Sequence, residues 1–426
     1  MSAPETLESF STQIREHLFG HYLPFWCGPA LDREQGGWMG WLSNDLQPDR
    51  SQPKGLIVNS RILWAFSAVH RLRPEPLYAG MAERAFEYVM NRFWDAEHGG
   101  AFWRLDNAGR VLDGSKKIYG QAFYLYALAE FHQAFGRPAA LARARVLFEL
   151  IERHAHDAAF GGYVEVCNRD WSAAGADARL SEQDMNEKKS MNNHLHVLEA
   201  YTNLYRVWPE PRVAERLREL IGLFLTRILD PRTHHLHHFF NEPWEVRSDT
   251  YTFGHDIEAS WLLCEAAEVL DDASLLARVR GVALRMAEVV LAEGRDPAGG
   301  LVYEGRGGRT LDAGRECWPQ AEALVGFLNA FELSGNPAFL TAARETWRFI
   351  DEHLVDRVHG EWFWRILPDG RPDAKLPKVS EWKGPYHATR ACLESLHRLD
   401  RLAGPGAAPF GAVHDFGDMT AGRHPL

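Results

Sequence analysis

The 426-residue chain has no apolar run approaching the roughly 18–20 residues that span a bilayer. Its first residues, Met1-Ser2-Ala3-Pro4-Glu5, show neither a basic stretch nor an apolar core, so no secretory signal is expected. It has five cysteines, Cys27, Cys167, Cys264, Cys317 and Cys392, odd in number and with no CxxC. They read as free thiols in a reducing cytoplasm, neither a disulfide framework nor a zinc site. Positive charge is in deficit. Against 58 Asp and Glu stand 47 Lys and Arg, a net charge of −11, which suits neither nucleic acid nor an anionic membrane. Motifs such as HExxH, a P-loop or GxGxxG with a following acid are missing as well. What is abundant is aromatic: 15 Trp, 12 Tyr and 23 Phe. Most of these rings are expected in the core; several Trp are also suited to lining a carbohydrate cleft, where a flat apolar face meets a sugar ring.

The chain repeats. A Gly-Gly or similar turn between short aromatic strands occurs at Gly36, Gly99, Gly161, Gly299 and Gly360, with a degenerate copy, T-H-H-L-H-H-F-F, near His234. Six copies at about 60–70 residues fill the sequence. Between them the apolar spacing becomes helical. Pairs are predicted at 57–71 with 76–93, 118–135 with 138–155, 189–207 with 211–228, 254–270 with 274–293, and 316–334 with 337–355. The unpaired segments 5–25 and 384–402 complete a sixth pair if the chain ends meet. The expected fold is therefore all-α: an (α/α)6 barrel of twelve helices over residues 1–402, with short β-hairpins at the active-site face. An open stack of helix pairs is the competing architecture. Residues 403–426, rich in Gly, Pro and Ala, read as a flexible tail.

In such a barrel the N-termini of the inner helices converge on one mouth, where unpaired N–H groups and helix dipoles make a polar cavity. The side chains expected near those starts are Arg61, Tyr119 with Gln121, Asn192 with His196, His255 with Glu258, Trp318 with Glu322, and Trp382 with His387. Asn192 and His196 share a face at i,i+4. His194 points away from His196, so only His196 is expected to face inward. The run His234, His235, His237 and His238 lies on a hairpin and reads more readily as structure than as a metal site. Three histidines from three repeats suit proton transfer near neutral pH. Two facing imidazoles can take a proton from one face of a carbon and return it to the other, which is epimerisation. The carbon must be acidified by a neighbouring carbonyl, so a sugar substrate must first open its ring. Arg61 is placed to stabilise an enediolate oxygen, and Glu258 to orient a histidine.

These residues fall in motifs: N-S-R-I-L-W at 59–64, S-M-N-N-H-L-H-V-L-E-A-Y at 190–201, F-G-H-D-I-E-A-S-W at 253–261, W-P-Q-A-E-A-L-V-G-F at 318–327 and W-K-G-P-Y-H at 382–387. Over about residues 8–400 the chain resembles cellobiose 2-epimerases, within the N-acylglucosamine 2-epimerase superfamily. The resemblance implies an (α/α)6 barrel whose chemistry needs no metal and no cofactor. It implies His255 as the base at C2, His387 as the partner imidazole for ring opening and proton return, and His196 as a supporting histidine. It implies Arg61, Tyr119, Asn192 and Glu258 as sugar-binding or electrostatic positions, with Trp318 and Trp382 stacking on sugar rings. Glu322 joins the expected substrate-binding set, as does Asp184 in the polar segment 172–190, read as a loop over the cleft. Cys317 and Ala388 stand where related chains tend to carry Trp and Asn, near the expected place of a second sugar. The expected partner is a small carbohydrate, in a monomer or homodimer. Alternatives are a mannose 2-epimerase, a mannose/fructose-type aldose–ketose isomerase, an (α/α)6 glycoside hydrolase using Asp256, Glu258 and Glu322, or a sugar-binding protein without catalysis.

Overall fold

The computed structural model describes residues 6–403 apart from 176, 183 and 298; the 404–426 part of the expected tail lies outside the described residues. Six hairpins organise it. Five of the six tight turns hold two residues at positive φ, which is why glycine recurs there: Gly99 and Gly100 sit at 72° and 73°. In every repeat an aspartate N–H closes the turn by donating to the carbonyl of the second turn residue: Asp32 to Gly37, Asp95 to Gly100, Asp157 to Gly162, Asp230 to His235, Asp296 to Gly300 and Asp356 to Glu361. The degenerate copy is thus a true repeat, with His234 taking the left-handed position at φ 60°. A buried lysine locks the aspartate in four of the six. Lys54, Lys116, Lys189 and Lys378 reach Asp32, Asp95, Asp157 and Asp356 at 2.6–3.0 Å.

Twelve helices lie among the described residues. The first, α1 (Leu7–His17), runs on through a π-helical turn, Leu18–Tyr22, and a short helix, Leu23–Cys27. It is followed by α2 (Leu56–Leu72), α3 (Pro76–Tyr88), α4 (Ile118–Phe135), α5 (Pro138–His154), α6 (Met191–Val207) and α7 (Pro211–Leu223). The last five are α8 (Phe253–Glu268), α9 (Ala273–Glu293), α10 (Cys317–Ser334), α11 (Pro337–Phe349) and α12 (Tyr386–Ala403). Proline at the first turn starts α3, α5, α7 and α11, where its missing N–H costs nothing. Inner and outer helices separate by composition. Every residue of α4 from Ile118 to Phe131 is buried, whereas α5 buries only Ala140, Ala144, Leu147, Phe148 and Ile151, one stripe at helical spacing.

The even-numbered helices form the inner ring, each packed on its neighbours, and α12 contacts α2, α10 and α1. The chain ends therefore pair and the ring closes as an (α/α)6 barrel; the open stack is ruled out. Two-residue strands lace successive repeats: the strand before an inner helix pairs with the strand after the following hairpin, as in Lys54–Gly55 with Arg104–Leu105 and Lys189–Ser190 with Phe239–Phe240. A Leu42–Val379 bridge ties the last repeat back to the first. Hairpins and inner-helix N-termini thus share one face of the barrel. Among the described residues no helix is long and apolar enough to cross a membrane.

Candidate active site

Two sets of polar side chains occupy the starts of the inner helices, and they do different things. The first set is the fourth residue of four of the six inner helices, which holds a hairpin. Gln121 accepts from Ala101 N–H at 2.8 Å and donates to the Ala101 carbonyl at 2.9 Å. Gln320 does the same to Leu301. His194 Nε2 accepts from Tyr163 N–H at 2.8 Å, while its Nδ1 donates to the Ser190 carbonyl at 2.7 Å. Asp256 accepts from Leu236 N–H and pairs with His235 at 2.7 Å. All four are fully buried. Gln121, expected at the cavity, is therefore a structural residue: the hairpin backbone saturates it. The same geometry removes Asp256 from any hydrolytic pair. Of the hairpin histidines, His235 is spent on Asp256 and on stacking against Tyr251, ring centres 3.5 Å apart.

The second set faces a cavity of about 850 Å³ at the barrel mouth. Arg61, Tyr119, Asp184, Asn192, His196, His255, Glu258, Trp318, Trp382 and His387 all line it, as do Cys317 and Ala388. His255 and His387 therefore share one compartment, both packed on the Trp318 indole with ring centres 4.7 and 5.7 Å away. Three buried polar atoms of lining residues, Arg61 Nε, Asn192 Oδ1 and Glu258 Oε2, have no hydrogen-bond partner among the described residues. Atoms in that state are costly unless a polar ligand or water completes them. Arg61 is otherwise fixed: its Nη1 donates to the Trp382 carbonyl and its Nη2 to the Tyr119 hydroxyl, each at 3.0 Å, and its plane lies over Phe123. Trp382 packs on Trp103 and Tyr119.

Glu322, expected to bind substrate, stands behind the cavity instead. It is fully buried, and its Oε1 accepts from His387 Nδ1 at 2.6 Å and from Arg390 Nη2 at 2.7 Å. A carboxylate accepting at Nδ1 leaves the His387 Nε2 lone pair for the cavity. His196 is backed in the same way, its Nδ1 2.9 Å from Glu199 Oε2. The histidine-orienting carboxylates are thus Glu322 and Glu199. Glu258, expected in that role, instead accepts from Arg390 Nη2 at 2.5 Å through Oε1. Arg390 also contacts Glu199 and the Tyr386 hydroxyl through Nη1. One buried guanidinium therefore bridges three carboxylates from three inner helices. Neither Arg390 nor Glu199 stood out in the sequence. The His196/Glu199 spacing of i,i+3 and a lone arginine three residues after His387 were the available signals.

This charge cluster sets protonation. Burial, then Glu322, push the Glu258 carboxyl up to about 7 against the pull of Arg390. Burial also raises Glu322. Glu199 resists its burial because Arg390, His196 and Tyr386 draw it down to about 2. Burial holds His255 well below the usual histidine range, and His238, His196 and His387 add repulsion. Burial does the same to His387, with Arg61, Arg390 and His196 adding to it. Both imidazoles are therefore neutral, as bases must be at rest. Glu258, Glu322 and His387 also offer metal-ligand atoms within 4.8 Å of one another. The cation already between the two carboxylates is the Arg390 guanidinium.

From the expected loop, Asp177, Arg179, Leu180, Ser181, Glu182 and Asp184 line one side of the mouth. Lys117 Nζ holds the loop by donating to the Arg179 and Leu180 carbonyls, and Asp184 accepts from Ser181 N–H at 2.9 Å. A second cavity of about 500 Å³ adjoins the first beneath this segment and shares Asp184, Asn192 and His255 with it.

A barrel mouth presenting neutral imidazoles, a fixed guanidinium and two indoles is the site of a carbohydrate-directed proton-transfer enzyme. The family model for N-acylglucosamine 2-epimerase (GlcNAc 2-epimerase) matches residues 37–391, so the chain belongs to that family of epimerases, which are isomerases. It is 43% identical to the cellobiose 2-epimerase of Bacteroides fragilis, over 91% of this chain and 99% of that one. Among solved structures it is similar to the cellobiose 2-epimerase from Spirochaeta thermophila (40% identity, TM-score 0.86, covering 95% of this chain and 100% of that one). It is also similar to that from Bacillus thermoamylovorans (36% identity, TM-score 0.87, covering 92% and 100%).

Proposed function

We propose that this protein interconverts glucose and mannose at the reducing end of 4-O-linked disaccharides, turning cellobiose into glucosyl-mannose and lactose into epilactose. The observation that carries this reading is the pair His255 and His387, both neutral, both against Trp318, in one sugar-sized cavity. The full-length similarity to cellobiose 2-epimerases supports the disaccharide.

His387 Nε2 takes the O1 proton as the C1 carbonyl forms and the C1–O5 bond breaks. His196, backed by Glu199, supplies the proton to O5. His255 then removes the C2 proton; the C–H electron pair passes into an enediolate whose O1 charge meets Arg61. His387, carrying the proton taken from O1, delivers it to the opposite face of C2. On closure O5 returns its proton to His196, His255 releases the C2 proton to water, and O1 takes one from water. Glu322 against Nδ1 stabilises the His387 imidazolium while it waits. None of these steps calls on a metal. Five free cysteines, three of them buried, suit a reducing compartment such as the cytoplasm. The hydrolase alternative is disfavoured, because Glu258 and Glu322 share one Arg390 nitrogen and only Glu258 lines the cavity, whereas hydrolysis needs carboxylates flanking the bond. Mannose epimerisation or isomerisation remains the second reading, since Cys317 and Ala388 both line the cavity.

The test is an NMR product assay in deuterated water on cellobiose, lactose, glucose and mannose side by side, with and without EDTA. Expected are deuterium at C2 and glucosyl-mannose from cellobiose, unaffected by EDTA. Release of glucose, or turnover of monosaccharides alone, overturns the disaccharide epimerase.

A further inference from the structure

Thr252 stands at the N-cap of α8 with the extended backbone a cap requires, φ −110° and ψ 129°, yet its hydroxyl caps no backbone N–H. At the matching position of α6, Ser190 does cap, accepting from Asn193 N–H at 3.1 Å. The Thr252 hydroxyl is committed elsewhere: Oγ1 lies 2.5 Å from Nδ1 of His255. On its other side is His238. The Thr252 backbone N–H donates to His238 Nε2 at 3.2 Å, and Oγ1 is 3.5 Å from the same nitrogen. His238 is fixed in turn by its own N–H, which donates to Ser248 Oγ at 2.9 Å.

The protons can be counted. A backbone N–H always donates, so His238 Nε2 carries a lone pair and a neutral His238 has its proton on Nδ1. The Thr252 hydroxyl has one proton to give. Given to His255 Nδ1, it forces the His255 proton onto Nε2, and the ring cannot accept from the cavity. Turned toward His238 Nε2, it leaves Oγ1 free to accept from His255 Nδ1–H. The lone pair of His255 then lies on Nε2.

We propose that Thr252, with His238 behind it, is a positioning residue that holds His255 in the Nδ1–H form, so that Nε2 is the base at C2. The proposal rests on the epimerase reading and extends it to a residue outside the charge cluster. It also separates the two bases. His387 and His196 are each backed by a carboxylate, His255 by a neutral hydroxyl. When the C2–H bond breaks, its electron pair enters the enediolate and its proton joins Nε2; the Nδ1 proton stays, in a stronger bond to Thr252. The titratable groups around His255 are His238, His196 and His387. At that step His387 carries the O1 proton and repels the His255 imidazolium, and the hydrogen bond to the Thr252 hydroxyl is what stabilises it.

The experiment compares Thr252→Val, which keeps the shape and loses the acceptor, with Thr252→Ser, which keeps the acceptor. Deuterium uptake at C2 of cellobiose is followed across pH in the full-length protein, together with 15N shifts of labelled histidine assigned by difference from His255→Ala. For Thr252→Val, kcat is expected to fall at least about tenfold with KM little changed. The His255 signal should move from the Nδ1–H form toward a mixture. Thr252→Ser should restore both. Wild-type kcat and tautomer in Thr252→Val overturn the proposal, as does a Thr252→Ser protein as impaired as Thr252→Val. If Thr252→Val fails to fold, Thr252→Ala replaces it with the same expectations. Absence of C2 deuteration in the wild type defeats the epimerase reading itself, a result distinct from either outcome above.

Discussion

His194 and His196 lie two residues apart on one helix, both buried, and do opposite work. The first gives both ring nitrogens to backbone, holding a hairpin against α6; the second gives one nitrogen to Glu199 and turns its remaining edge to the cavity. The difference is helical phase. Two residues rotate the side chain by about 200°, so neighbours in sequence serve opposite sides of the inner ring. The same division runs around the barrel: Gln121, His194, Asp256 and Gln320 face hairpins, and Arg61, His196 and Glu258 face the cavity. Residue type alone does not separate chemistry from architecture here. What separates them is whether the partner is fixed backbone or open space.

The sharpest way to break this comparison is to truncate one member of each set. His387→Ala should lower epimerisation roughly 10²–10⁴-fold, the range a positioned acid–base group supplies, with a melting temperature near wild type. His194→Ala should reverse the pattern. It leaves Tyr163 N–H and the Ser190 carbonyl unpaired, costing about 2–4 kcal/mol in urea titration, while kcat of the folded fraction changes little. A His194→Ala enzyme that is stable and inactive would refute the division.

Arg390 belongs to neither set, which makes it the next test. It touches no substrate in the proposed reaction, yet Glu199, Glu258 and Glu322 all depend on it. Arg390→Met removes the cation and leaves the carboxylates buried. Breaking a buried ion pair from one side costs about 3–5 kcal/mol. The variant should also lose activity, because Glu199 and Glu322 orient His196 and His387. Stability is measured by denaturant midpoint and activity by C2 deuteration. A variant of wild-type stability would show that the cluster carries far less charge than its geometry implies.

How much of this could be read from the sequence follows from what leaves a mark on residue types. The Gly-Gly turns do, because positive φ selects glycine, and even the His234 copy was legible through its flanking pattern. Helix limits came within a few residues because inner helices are apolar all round and outer ones are striped. The π-helical turns at Leu18–Tyr22, Val89–Phe93, Phe224–Ile228 and Ile350–Leu354 left no mark, since a one-residue change in backbone bonding requires no special side chain. At the site, the residues on the cavity were legible as polar groups near inner-helix starts. Glu322 was placed one layer too far forward, and the histidine-orienting role was assigned to Glu258. Both errors arise because spacing fixes a face of the helix and not the depth a side chain reaches. Arg390 escaped for a related reason: its importance comes from three helices distant in sequence.

The smallest expected effect probes the hairpin set by pH. Burial lowers the His194 pKa to about 4, and protonating Nε2 would break its bond from Tyr163 N–H. In the unfolded chain the same ring titrates near 6.5. Because the folded value is the lower one, the unfolded state binds the proton first. The stability His194 contributes is complete above pH 6.5 and is lost as pH falls from 6.5 toward 4, at a slope of at most about 1.4 kcal/mol per pH unit. Glutamine fills the same slot in Gln121 and Gln320, accepting from a hairpin N–H without titrating. His194→Gln should therefore fold, and its urea midpoint should decline less steeply between pH 6.5 and 4 than that of the wild type. The acid limb of activity, which belongs to His255 and His387 on the cavity side, should stay where it is. Parallel stability slopes for the two proteins would mean that His194 does not titrate in this window. A shifted activity limb would mean that the hairpin and cavity sets are coupled after all.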